Sequence, residues 1–581
     1  MMKPMEEPRI GVYVCWCGTN IAKMVDVEHV TEIIGKLPNV VVSKNYKYMC
    51  SDPGQELIVT DIIENNLNRV VVAACSPRIH ELTFRKALEK AGLNAYLFEM
   101  ANIREQDSWV HDDREEATKK AVELVAGAVS RVKFHEPLDK RSVDVNPATL
   151  VIGGGIAGMS AALEVANAGK EVYLIEKSDK LGGIALHFDL TYPYLYDAKK
   201  MMEVMIRRTG NHPNIKVFLN TNITGVNGYI GNFETTIHAG TKNEQKLTFG
   251  SVIVASGLKP FDASRVHQYG YGRLPDVITS VEFEDMLRTG QVRTKAGKIP
   301  ENIAIIHCVG SRNKEYHEYC SRTCCMVALK FANQLRSLLP QSHIYDLYAD
   351  MRAFGKGCEE LYTETSKKDI IFMMFDQQNE LPQIIKSVVP EDPPMLIFFN
   401  EKISGLGLEV PADMVILMVG MESNPDVKDI AHAVGISICG NAFYIEKHPK
   451  LDPVATTTGG VYIVGTCQGP KGIPDSVAQA KAAAARVLAT INQGSVHVEV
   501  TTAQVNEDLC CGCQTCIMVC PYTAIGYDEE KKVSRVNEVL CKGCGTCGSA
   551  CPTGAIRSKH FTDQQILSQI DGLLSMSLKI E

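Results

Sequence analysis

No apolar run in this 581-residue chain reaches the roughly 20 residues needed to span a bilayer. The opening "MMKPMEEPRIGVYV" has neither the apolar stretch nor the cleavage site of a secretory signal, so a cytoplasmic protein is expected. A basic excess is also missing. The net charge is −8, which argues against nucleic acid as the main partner, because phosphate binding needs a basic surface. Hydrophobic content of 45% and charged content of 22% are ordinary for a chain that buries a large core, in about three or four domains at this length.

Cysteine is absent between residues 76 and 307 and crowded elsewhere. Of the 20 cysteines, four precede residue 80, five lie in 308–358 and nine in 510–551. In a reducing compartment structural disulfides are disfavoured, which leaves metal ligation or redox work.

Residues 149–177 read "TLVIGGGIAGMSAALEVANAGKEVYLIEK". A buried strand runs into Gly153, Gly155 and Gly158 in G-x-G-x-x-G spacing, a helix pattern follows, and a second strand ends at Glu176. The glycines permit a tight turn and close approach of a pyrophosphate to the helix start. The acid is placed to accept from a ribose hydroxyl. Lys177 follows the acid, and "LGG" with Gly182 and Gly183 comes shortly after. This arrangement resembles two-dinucleotide flavoproteins such as thioredoxin reductase, so FAD is preferred to NAD. The same resemblance reads "SVIVASGLKP", with Gly257, as the strand and turn that bring the chain back. It reads "GGVYIVGTCQGPKGIPDSVAQAKAAAARVL" as the last strand and flavin-facing helix, with Gly465, Thr466 and the helix start at Ile473 near the cofactor. Thr466 or Cys467 stands where that family has an aspartate. Cys467 is either a small packed residue or a redox group, the former preferred.

The second glycine loop is missing. "NIAIIHCVG" is a good strand, but it continues into "SRNKEYHEYCSRTCC", and only Gly310 remains of a cradle for NAD(P)H. Cys308, Cys320, Cys324 and Cys325 stand there instead. Four thiolates are what a 4Fe–4S cluster requires, and a helix start favours their charge. Buried core cysteines, or a vicinal disulfide at Cys324–Cys325, are the alternatives. Lys330, one to two turns into the following helix, is either a cation beside the flavin or a solvated surface residue.

The C-terminal motifs are the most specific. Cys510, Cys513, Cys516 and Cys520 precede Pro521, and Cys541, Cys544, Cys547 and Cys551 precede Pro552, in duplicated C-x2-C-x2-C-x3-C-P spacing. In such a two-cluster ferredoxin the fourth cysteine of each run serves the other cluster. One cluster then takes Cys510, Cys513, Cys516 and Cys551, the other Cys541, Cys544, Cys547 and Cys520, and Cys511 is spare. At the N-terminus, Cys15, Cys17, Cys50 and Cys75 lie at strand ends and loops of a small α/β domain. They offer a further cluster site, or in part core residues. "SPRIHE" there is polar gating or a plain helix start.

The expected architecture is α/β with an α+β C-terminal part: an N-terminal α/β domain over 1–135, a two-dinucleotide, thioredoxin-reductase-like flavin domain over 146–495, a bacterial-type two-cluster α+β ferredoxin over 500–560 and a helical tail over 561–581. With these parts in order, the whole chain resembles the FAD and iron–sulfur subunit, the A-type one, of heterodisulfide reductase. "CWCGTNIA", "CSPRIHELTFR", "GGGIAGMSAAL", the "HCVGSR…YCSRTCC" run, the paired ferredoxin motifs and "HFTDQQILSQI" carry the resemblance.

The family implies an FAD that takes electron pairs from a hydrogenase or formate dehydrogenase module. It implies bifurcation or confurcation toward heterodisulfide-reducing B- and C-type subunits and ferredoxin, and a homodimer within a larger complex. Longer members carry an inserted ferredoxin between segments at about 220 and 250. "NITGVNGYIGNFETTIHAGTKNEQKLTFG" has no cysteine. About four clusters are therefore expected, with the exit toward free ferredoxin in the C-terminal module, in a partner, or absent. The alternatives are an NAD(P)H oxidoreductase like the small subunit of glutamate synthase, and a wiring scaffold with a structural flavin.

Overall fold

The computed structural model describes residues 7–139, 141–238, 240–241, 243–388, 393–498 and 500–577. The first six residues of the expected N-terminal domain and the last four of the tail lie outside the described residues. The chain divides into two units, Met1–Ser142 with His497–Glu581, and Val143–Val496.

In the first unit, the strands Ile10–Cys15 and Arg69–Ala74 are buried along their whole length, and both read as continuous apolar runs once past Arg69. That is the pattern of strands covered on both faces in a parallel sheet. They form the centre of a four-stranded parallel sheet ordered Val40–Tyr46, Ile10–Cys15, Arg69–Ala74, Phe98–Asn102. Helices Val27–Gly35, Asp52–Glu64, Pro77–Lys90 and Arg114–Val132 join or cover these strands. "SPRIHE" is a helix start: Ser76 caps the helix by accepting from the Arg78 N–H, and Pro77 opens it, where its missing N–H costs nothing.

The same unit holds the ferredoxin module. It consists of the antiparallel pairs Ala503–Val505 with Ile556–Ser558 and Ile525–Asp528 with Val533–Val536, and the one-turn helices Thr515–Met518 and Thr546–Ser549. The final helix, Asp563–Ser577, lies along Arg114–Val132 through small residues. A Cβ on Gly127 would press on Leu573, and one on Gly572 on Ser130 and Ala126. Arg131 donates to the His560 carbonyl (2.8 Å), and the His560 ring stacks on His135 with centroids 4.4 Å apart.

The second unit contains two five-stranded parallel sheets. One is ordered Val461–Ile463, Ser251–Val254, Thr149–Ile152, Val172–Ile175, Ile215–Phe218, and the other Val277–Thr279, Met414–Val419, Asn302–Val309, His343–Tyr348, Ile370–Met374. Each has a three-stranded antiparallel sheet beside it in sequence: Asn227–Tyr229, Asn232–Ile237 and Gln245–Phe249 in the first half, Gln383–Lys386, Met395–Asn400 and Gly407–Ala412 in the second. No helix among the described residues is long and apolar enough to cross a membrane.

Candidate functional site

The first sheet of the second unit places Gly153 directly after the strand Thr149–Ile152. Gly153 has φ 108°, and a Cβ there would overlap the Ala255 carbonyl. A Cβ on Gly158 would overlap the Gly153 carbonyl oxygen, so the helix Ile156–Asn167 packs on its strand only with glycine at that position. Gly155 is different. Nothing lies within 4 Å of a Cβ built on it, and it faces a cavity of about 1020 Å³, the upper end of small-molecule sites.

Glu176 ends the next strand, buried, with one carboxylate oxygen accepting from the Gly154 N–H (2.7 Å) and the other from the Ser178 N–H (2.8 Å). Glu176, Lys177, Gly182, Gly183, Gly257, Thr466 and Ile473 also border the cavity. Gly465 does not. Its N–H donates to Gln479, and a Cβ on it would press on Ala157. Thr466 is the residue that reaches the cavity in place of the expected aspartate. Cys467 turns away, buried, with its thiol toward the carbonyls of Val254 (3.4 Å) and Val464 (3.1 Å), as a packed residue. The cradle a side chain would fill, the acid at the strand end and the helix starting at Ile473 fit a flavin dinucleotide.

Lys330 is 2% exposed, which corrects the surface-lysine alternative. It lies in the helix Cys324–Leu338, borders the cavity, pairs with Glu284 and donates to the Leu190 carbonyl (3.1 Å). Burial lowers its pKa and raises that of Glu284, each opposed by the other's charge.

Two residues here are not evident from the sequence motifs. Glu284 belongs to an ordinary helix and gives no motif signal. Lys471 borders the cavity beside Gly472 and donates to three uncharged oxygens: Gly465 O (2.7 Å), Gln468 Oε1 (3.1 Å) and Gly469 O (3.2 Å). Burial, reinforced by Arg322 and opposed by Cys467, Asp475 and Glu446, lowers its pKa to about 8. The sequence does carry a signal for it: a lysine immediately before a helix start is on the wrong side of the helix dipole.

The second sheet brings the 308–325 cysteines together at the end of the strand Asn302–Val309 and the start of the helix Cys324–Leu338. Cys308, Cys324 and Cys325 are each at most 4% exposed. The thiol contact with Cys308, and then burial, push Cys324 well above the usual thiol range, Cys325 pulling the other way. Cys320 accepts from the Arg322 N–H (3.2 Å) and adds its own charge to the Cys324 environment. Cys324 also borders the cavity. His307, fully buried, sits 2.9 Å from Asp346. Burial opposes its charge, but Asp346 and Cys325 together raise its pKa to about 10. The turn that a second pyrophosphate would need is filled, because a Cβ on Gly310 would overlap the Phe261 ring.

In the first unit, Cys15 ends its strand and accepts from the N–H groups of Cys17 (3.3 Å) and Met49 (3.4 Å). Cys50 precedes the helix Asp52–Glu64, Cys75 follows the strand Arg69–Ala74, and Cys17 accepts from Arg104 (3.4 Å). All four lie at the carboxyl ends of the parallel strands, where open α/β sheets bind ligands. Burial raises the Cys75 pKa to about 11, with Arg104 opposing and Cys17 adding to it, and burial likewise raises Cys15 and Cys50, on each of which Cys17 acts.

In the ferredoxin module, Cys520, Cys541, Cys544 and Cys547 line one small cavity. Burial raises the Cys547 pKa to about 11, with charge contributions from Cys541, Cys520 and Cys544. Cys513 feels Cys551 of the other run. Cys510 and Cys516 flank Cys513 in sequence, half-buried and buried. Among the described residues no three metal-binding side chains already converge as on a single ion. A cube-shaped cluster spreads its thiolates around four irons, so the donor chemistry fits clusters. Cys511 is exposed. Cys511→Ser should leave the iron content and the EPR spectrum of the reduced protein unchanged, whereas Cys547→Ser should remove about four irons.

Residues 147–306 match the family model for pyridine nucleotide-disulphide oxidoreductases, and residues 503–558 match that for a 4Fe–4S dicluster domain. The A-type iron–sulfur subunit of the CoB–CoM heterodisulfide reductase of Methanocaldococcus jannaschii is 39% identical, over 99% of this chain and 100% of that one. The chain belongs to the family of A-type heterodisulfide reductase subunits. The A-type subunit of the H2:CoB–CoM heterodisulfide, ferredoxin reductase of Methanothermobacter thermautotrophicus is 39% identical over 99% of each chain. Its H2/formate counterpart from Methanococcus maripaludis is 36% identical over 99% of this chain and 100% of that one. Lactococcus lactis thioredoxin reductase is 13% identical, covering 60% of this chain and 99% of that one at a TM-score of 0.40.

The alignment with the Methanocaldococcus protein runs over 659 positions, more than the 581 residues of this chain, so that protein has segments without a counterpart here. Family and domain content together make the protein an oxidoreductase with FAD and 4Fe–4S clusters, built on a pyridine nucleotide-disulphide oxidoreductase domain.

Proposed function

We propose that this family member is the FAD and iron–sulfur electron-transfer subunit of a heterodisulfide-reductase-type complex. Electrons enter from a hydrogenase or formate dehydrogenase module. They leave, by bifurcation or confurcation, toward heterodisulfide-reducing B- and C-type subunits and ferredoxin, in an assembly holding two copies of this chain. The names of the Methanothermobacter and Methanococcus relatives support those donors and ferredoxin as an acceptor. FAD, when bound, exchanges electrons in pairs or singly, and the clusters carry them singly.

Gly153, Gly155 and Gly158 shape the pyrophosphate cradle, and Glu176 accepts from the ribose. Lys177, Gly182, Gly183, Gly257, Thr466 and the helix start at Ile473 enclose the rest of the cofactor, with Gly465 allowing the approach from behind Thr466. Lys330 supplies a cation whose charge Glu284 balances. Cys15, Cys17, Cys50 and Cys75 hold one cluster, Cys308, Cys320, Cys324 and Cys325 a second, and the two ferredoxin sets the others, four in all. The segment missing relative to longer members falls between about 220 and 250.

One observation carries this function. Four thiols stand at the turn where a second dinucleotide would be cradled, and one of them, Cys324, is also in the wall of the flavin cavity. With Gly310 packed against Phe261, electron input through a cluster is favoured over hydride from NAD(P)H.

Iron and acid-labile sulfide per FAD, with an EPR-monitored reductive titration on anaerobically purified protein, test it. About sixteen irons per flavin are expected, with no bleaching by NADH. About eight irons would leave only the ferredoxin module filled, and rapid bleaching by NADH would restore the pyridine-nucleotide alternative.

A further inference from the structure

Three lysines border the flavin cavity: Lys177, Lys330 and Lys471. Two are balanced on the spot, Lys177 by Asp426 at 2.8 Å and Lys330 by Glu284. Lys471 is not. Its three N–H bonds go to Gly465 O, Gln468 Oε1 and Gly469 O, which leaves no donor for a ligand and no carboxylate among its hydrogen-bond partners. An ammonium whose donors are all taken by uncharged oxygens, with Asp475 and Glu446 acting on it only from outside its hydrogen bonds, acts by field alone. In a partly desolvated wall that field is far less screened than in water. Lys471 also sits just before the helix Ile473–Asn492, so its charge adds to the positive end of that helix.

We propose that Lys471 sets the reduction potential of the flavin, its charge, held by no carboxylate in contact, favouring negative charge on a flavin ring held in this cavity. The inference rests on reading the cavity as the FAD site and assigns to Lys471 a role separate from that of the Lys330–Glu284 pair. The flavin would be easier to reduce with this lysine than without it. The balanced lysines contribute little net charge to the same ring.

The test uses the full chain, purified anaerobically, as wild type, Lys471→Met and Lys471→Arg. FAD content is measured first, and the EPR signals of the reduced ferredoxin clusters report folding. The flavin midpoint potential is then taken by spectroelectrochemistry in the flavin band. Lys471→Met should keep its FAD and shift the reduction equilibrium toward the oxidised form by tenfold or more, about 30 mV per tenfold for a two-electron couple. Lys471→Arg, which keeps the charge, should stay within about threefold of wild type, less than half that 30 mV step.

An unchanged potential in a fully loaded Lys471→Met protein would overturn the proposal. So would loss of FAD from Lys471→Met with the ferredoxin signals intact, which would make the lysine a clamp on its own loop. Wild-type protein that binds no FAD would instead overturn the reading of the cavity.

Discussion

Replacing Cys324 by serine should leave a folded protein with normal FAD, about four irons short of the roughly sixteen that the proposed cluster assignment gives the wild type, and with its flavin cut off from the proposed donors. Cys324 is a buried thiol in contact with Cys308 and Cys325, it opens the helix Cys324–Leu338, and it borders the flavin cavity. A serine hydroxyl is nearly isosteric and keeps the helix, but it is a hard, poorly acidic donor where iron–sulfur chemistry needs a soft thiolate. Outer-shell substitutions at metal sites cost about 10–100-fold. On the proposed function, losing a cluster ligand should slow flavin reduction by the hydrogenase or formate dehydrogenase module by more than that. Iron and FAD analysis with stopped-flow absorbance would show it. Full iron content with unimpaired reduction would return these cysteines to the packed core.

The substitutions Gly158→Ala and Gly155→Ala should each sharply weaken FAD binding, for opposite reasons. The new methyl at Gly158 meets the Gly153 carbonyl inside the protein, so helix and strand must separate. Overpacking of this kind costs about 1–3 kcal/mol, and the second unit should become more sensitive to proteolysis. At Gly155 the new methyl meets nothing in the protein, and the backbone φ of −74° suits alanine. That variant should fold normally, yet present its methyl where the pyrophosphate approaches, bind FAD at least about tenfold more weakly, a change of about 1.4 kcal/mol in affinity, and purify depleted of flavin. Proteolysis and flavin absorbance together separate the two effects. A fully loaded Gly155→Ala protein would put the dinucleotide elsewhere.

What the sequence made legible had local signals. The glycine loop announces itself because strand, tight turn and helix dictate residue type at fixed spacing. The crossed ferredoxin motif does so because a cluster fixes four ligands at once. Cys467 is ambiguous in sequence because only packing decides which way a thiol points. It turns to the Val254 and Val464 carbonyls while Thr466 takes the cavity. Glu284 is invisible there because its role depends on Lys330, 46 residues later, and no spacing rule links two residues brought together by separate elements. Nor does composition reveal that residues 1–142 and 497–581 share a unit. That depends on small side chains at Gly127 and Gly572, which look like any other helical glycines until their neighbours are known.

The pairing of the last helix with Arg114–Val132 has a consequence for synthesis. The docking face around Ala126, Gly127 and Ser130 leaves the ribosome early, but its partner at Gly572 and Leu573 comes more than 400 residues later. At translation speeds of about 5–20 residues per second the wait is roughly 20 to 90 s. Throughout it the nascent first unit carries its sheet and its four early cysteines with one helix face bare, while the entire flavin unit is made and folds in the interval. The part of the protein begun first is therefore the part completed last.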